Sequence, residues 1–197
     1  SNGINKSFTS FCSLFTEIVQ SKDDLLSILK SVTKHLKNVS SLNSIECVVD
    51  VLTIVSKSCE FKENFIEICG NELLEAVLTP NFRRQPDLFI KVADLFIICG
   101  DVKLPNRIVH FIGFMLLLND TRIVKPAADL LDRLDEQSQK FLAPFVQSMF
   151  DKATREENSM VSCIPEILKR FPSVAKSSTK QLLELLDRLL ERFSKER

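Results

Sequence analysis

The stretch DLFIKVADLFIICG, residues 87–100, puts apolar side chains on almost every side of a helix. Only Lys91, Asp94 and the end residues interrupt it. A helix that is apolar all round has to be covered all round. The run from Ile108 to Leu118 has the same character, broken by His110, and in residues 43–58 apolar positions from Ile45 to Val55 cover well over half the girth. The sequence therefore predicts that 87–100 lies near the middle of a layered stack, with other helices against it on several sides.

Other segments are one-sided. In residues 23–38, Leu25, Ile28, Leu29, Val32 and Leu36 share one face, while Lys30, Lys34 and Lys37 hold the other. In QLLELLDRLLERF, the leucines from Leu182 to Leu190 and Phe193 span an arc of about 160°. With only four glycines and no sustained two-residue alternation, the apolar period is helical nearly throughout. It predicts ten helices, at 7–20, 23–38, 43–58, 62–78, 87–99, 105–118, 123–136, 138–156, 159–171 and 178–195. The short loops between them make consecutive helices antiparallel neighbours. Ser21 and Asp24 have capping-box spacing. Pro86, Pro105, Pro126 and Pro165 fall near predicted first turns, where a missing N–H costs nothing. Gly70 interrupts helix 62–78 and marks a bend.

The prolines also carry a period. Pro86, Pro126 and Pro165 stand 40 and 39 residues apart, and Pro105 and Pro144 stand 39 apart. If each unit is a helix pair, the first series falls in first helices and the second in second helices. On this spacing the chain resembles the HEAT/armadillo-like superfamily over residues 40–195, with 7–38 as a further pair. The residues after the prolines, DLFIKV, AADLLD and EILKRF, share only loose apolar spacing. The resemblance implies an α-solenoid of stacked helical hairpins; a non-repetitive helical bundle is the alternative. Ser1-Asn2-Gly3 reads as an expression scar and residues 4–197 as a single all-helical repeat domain, a fragment of a longer protein.

Charge narrows the partners. Lys and Arg number 26, as do Asp and Glu, so the chain lacks the basic excess of a phosphate-backbone binder. No run reaches the roughly 18 apolar residues of a membrane span. The six cysteines form no CxxC pair and sit mostly in apolar helical runs. They read as reduced thiols in an intracellular, cytoplasmic or nuclear chain.

The residues for catalysis are sparse. Gly70, Gly100 and Gly113 are isolated and make no phosphate-cradling loop. His35 and His110 are the only histidines and lie in no zinc-binding spacing. His110 reads as a core or boundary residue and His35 as a surface one. Adjacent acidic pairs such as Asp23-Asp24 diverge by about 100° on a helix and cannot share a proton. The reading is of no enzyme, with no catalytic or metal-ligating residues and no cofactor. The expected function is a scaffold that docks a partner protein or peptide in a larger assembly. Its candidate contacts are Lys30, Lys34, Lys37, Phe82, Arg83 and Arg84, with Phe82 expected to be exposed beside the two arginines. The alternatives are a nucleic-acid- or chromatin-associated domain, in which Phe82 stacks on a base, and a homodimer formed through a helix face. The leucines of the last helix have the spacing for the latter, although so wide an arc favours docking on its own domain.

Overall fold

The computed structural model describes residues 21–57, 60–118, 120–156 and 159–195. Helix 7–20, Cys12 and Cys59 lie outside the described residues. All regular structure within them is helical. In chain order the α-helices are α1 (Lys22–Leu36), α2 (Leu42–Val55), α3 (Phe61–Phe65), α4 (Asn71–Val77), α5 (Pro86–Ile98) and α6 (Ile108–Leu117), followed by α7 (Val124–Leu131), α8 (Glu136–Glu156), α9 (Ile164–Leu168), α10 (Pro172–Ser177) and α11 (Thr179–Lys195). A π-helical turn, Ile66–Gly70, joins α3 to α4 into one run. Short 3-10 turns, Thr121–Ile123 and Ser159–Cys163, lead into α7 and α9. The fold divides into two compact units, Ser1–Phe111 and Ile112–Arg197, and the division falls inside α6.

The local signals act as their chemistry requires. Ser21 Oγ accepts from the Asp24 N–H at 3.2 Å and Asp24 Oδ2 accepts from the Ser21 N–H at 3.2 Å, a closed capping box. Gly70 ends a π turn instead of bending an α-helix. The extra residue in such a turn frees a carbonyl from the regular ladder. Here the Thr33 hydroxyl reaches both Leu29 O (2.8 Å) and Ile68 O (3.1 Å), tying α1 to the π turn.

Pro86 opens α5 and Pro165 is the second residue of α9, while Pro126 is the third residue of α7. The second proline series is not equivalent. Pro105 precedes α6, where its carbonyl accepts the Ile108 N–H at 3.0 Å. Pro144 lies inside α8 and leaves the Lys140 carbonyl without its usual helical donor.

In the first unit, α1 packs on α2 and on the run from α3 to α4, and α2 packs on α5. Its core is built on phenyl rings. Phe61 stacks on Phe65 at 4.9 Å, Phe65 meets Phe96 at 5.2 Å, Phe96 meets Phe111 at 6.5 Å, and Phe111 stacks on Phe89 at 4.8 Å. All five rings are fully buried. The chain has 15 Phe and no Trp or Tyr, so this ladder carries no hydroxyl or indole N–H that would need a buried partner.

Helix α5 is thus covered on most sides, but not on all. Phe89 and Phe111 are dry, whereas Ile97 is half-buried, and Asp87, Lys91, Asp94 and Ile98 form an exposed stripe at helical spacing. Lys91 uses that stripe to donate to Asp50 Oδ1 on α2 at 3.0 Å.

In the second unit, α7 packs on α9, and α8 packs on α9 and α10. Gly113 leaves room for the Phe145 ring of α8, because a Cβ there would lie 2.9 Å from Phe145 Cδ1. The residues expected to form a loop before the last helix contain α10, which Pro172 opens.

Candidate functional site

Of the six candidate contact residues, the structure keeps five accessible and removes one. Phe82 is 2% exposed, so the expectation of an exposed ring beside two arginines is corrected. The turn after α4 folds back on itself. The N–H groups of Phe82 and Arg83 both donate to Thr79 O at 3.1 Å, and Gln85 N–H donates to Phe82 O at 3.0 Å. This tight turn directs the ring inward and leaves Arg83 half-buried and Arg84 exposed. Hydrophobic burial outweighs the polar flanks in placing Phe82, since a phenyl side chain gains about 1.5–3 kcal/mol when fully buried. His110 is also corrected: it is exposed on the first turn of α6, not in the core.

Lys30, Lys34 and Lys37 are exposed, as the one-sided pattern of α1 requires. None of them forms an ion pair among the described residues. They are set apart from Arg83 and Arg84 in sequence and come from a different element.

The sequence reading missed a groove between α1 and α2. It encloses about 470 Å³ and is lined by Ser31, Val32 and His35 from α1 and by Asn43, Ser44, Cys47, Val48 and Val51 from α2. Its floor is apolar at Val32 and Val48, both buried, while His35 and Cys47 are exposed at its mouth. The geometry follows from the connection. The turn after α1 closes through Asn38 N–H on His35 O at 3.0 Å, and Ser41 caps α2 by accepting the Ser44 N–H at 3.2 Å. Ser44 Oγ lies 2.7 Å from Ser41 Oγ, so it is already engaged. Lys34 is one step around α1 from Ser31 and His35, and Lys30 and Lys37 continue onto the outer face, at 100° per residue. A partly apolar groove therefore runs beside a row of ammonium groups that form no ion pair among the described residues.

The groove joins the histidine that sequence reasoning left on the surface with one of the six thiols. The other described cysteines differ from it. Burial pushes the Cys69 thiol up to about 12, so its nucleophilic thiolate is almost absent at neutral pH. Cys99 is buried and its thiol donates to Leu95 O at 3.3 Å. Cys47, Cys69, Cys99 and Cys163 are all free thiols. Among the described residues, no three His, Cys, Asp or Glu side chains converge on a metal-sized space, and no helix is long and apolar enough to cross a membrane.

No family model, curated protein or solved structure matches this chain.

Proposed function

We propose that this protein is a non-enzymatic scaffold of the HEAT/armadillo kind, and that it docks an acidic, partly apolar segment of a partner protein on the α1–α2 face. The observation that carries this reading is the groove with its adjoining lysines. Val32, Val48 and Val51 offer apolar contact, and Lys30, Lys34 and Lys37 offer charge that no side chain of this chain neutralises among the described residues. Binding an acidic segment there satisfies both at once, and charge complementarity sets specificity and encounter rate more than affinity.

The repeat reading is supported by contacts between every second helical run. Within the first unit α1 meets α3 and α4, and α2 meets α5; within the second, α7 meets α9. Ion pairs bridge the same intervals: Lys91 with Asp50, 41 residues apart, and Arg170 with Asp132, 38 apart. These separations agree with the proline period and with helix pairs stacked as repeats. The nucleic-acid alternative loses its stacking residue with Phe82 buried.

The test is a titration of the chain with designed amphipathic peptides that share one apolar face and differ in the charge of the other. The acidic peptide binds, binding weakens with salt, and the Lys30→Glu/Lys34→Glu/Lys37→Glu variant loses about tenfold or more in affinity, since each 1.4 kcal/mol is a factor of ten. Equal binding of the acidic and basic peptides, or no loss in the variant, rejects the reading.

A further inference from the structure

Helix α11 leaves a row of leucines in water. Leu183 is 57% exposed, Leu186 50% and Leu190 56%. These are three of the five large apolar side chains that the described residues expose. Isolated exposed leucines need no explanation, but a continuous row marks an interaction surface. The helix is held to its own unit from the other side. Leu185 is buried, Gln181 donates to Asp151 Oδ1 at 3.4 Å, and Arg188 donates to Thr154 O at 3.4 Å. Leu183, Leu186 and Leu190 lie outside the face that these contacts cover.

We propose that this row pairs with the same row of a second copy of the chain, with the two helices antiparallel. Thr179, Leu183, Leu186 and Leu190 follow one another at spacings of four, three and four, the seam of a coiled coil. They share a strip of α11 about 60° wide. Along the free flank of the strip stand Lys180 and Asp187, seven residues apart and both exposed. When two such helices run antiparallel about a two-fold axis near residues 184 and 185, Leu183 lies over Leu186 of the second copy. Thr179 then lies over Leu190. In that register Lys180 of each copy faces Asp187 of the other, and symmetry makes the pair twice. A parallel pairing sets this charged flank against the flank carrying Leu182 and Leu185, which the helix already uses within its own unit. The charge order of α11 is thus self-complementary in one direction only, and this singles out a second copy as the occupant. The strip is short, which places the dimer in the small, weak class of interfaces.

The experiment is sedimentation equilibrium of the full chain from micromolar to millimolar concentration, alone and with charge reversals. Lys180 and Asp187 are exposed, so Lys180→Glu and Asp187→Lys leave the fold intact, with helicity by circular dichroism as the control. The wild type shows a mass that rises with concentration toward twice the monomer. Each single variant turns two attractions into two repulsions and weakens association roughly tenfold. An equimolar mixture of the two variants recovers it, because the carboxylate introduced in one variant then meets the ammonium introduced in the other, and the native Lys180–Asp187 pair persists at the second symmetry position. A wild type that remains monomeric throughout overturns the proposal. So does a dimer that the single reversals do not weaken, or a mixture that fails to recover.

Discussion

Asp94 shows how much a single position can depart from its sequence context. It is one of two polar interruptions in an otherwise apolar helix, and partial burial on α5 raises its carboxyl above the ordinary aspartate value. A raised carboxylate means the folded chain holds its proton to higher pH than the unfolded chain does. Stability therefore falls as pH rises through the window between the two values. Asp94→Asn removes that penalty. The variant melts slightly higher at neutral pH, and the difference vanishes below the ordinary carboxylate range; thermal melts across pH check this. Asp132 behaves in the opposite sense. Arg170 donates to both of its oxygens at 2.6 Å and holds the carboxyl below its usual value. Its contribution is present at neutral pH and is lost on acidification through that lowered value. Asp94 was visible in the sequence as a break in the pattern. The partner of Asp132 was not, because a contact across 38 residues leaves no local trace.

At the scale of elements, the sequence was most legible where one side chain settles the backbone. The Ser21–Asp24 box and Pro86 each start a helix at or next to the expected position, whereas the helix at Pro165 begins at Ile164, five residues after the expected start at 159, behind a 3-10 turn. It was least legible where a tertiary contact decides. The Phe82 ring turns inward because the turn closes on Thr79, against the two arginines that follow it. The groove between α1 and α2 needs both helices in place before His35 and Cys47 share a wall. The apolar arc of α11, about 160° wide, predicted a docked helix, yet Leu183, Leu186 and Leu190 on it stay wet although the helix meets both α8 and α10. The contact of α6 with α8 offers a direct test. Gly113→Ala gains about 1 kcal/mol of helix propensity, but its methyl lies against the Phe145 ring and overpacking costs about 1–3 kcal/mol. The variant is less stable than the parent in urea. In a Phe145→Leu background the same change becomes stabilising, and the sign reversal in a double-mutant cycle measures the contact.

At the scale of the whole chain, contacts within each unit join consecutive helices, as α1 with α2 and α8 with α9, and also helical runs one apart, as α2 with α5 and α7 with α9. The proposed scaffold function rests on the α1–α2 face, where an apolar groove adjoins Lys30, Lys34 and Lys37, which form no ion pair among the described residues. The strip proposed on α11 belongs to the second unit and the groove between α1 and α2 to the first, and the occupants proposed for them differ: a second copy of the chain and an acidic segment. Hydrogen exchange of the full chain with and without the acidic amphipathic peptide distinguishes the faces most directly. The account predicts slowed exchange along α1 and α2, centred on residues 31–35 and 43–48, and none in the turn at 79–85. Protection confined to that turn or to α11, with α1 and α2 unchanged, contradicts it.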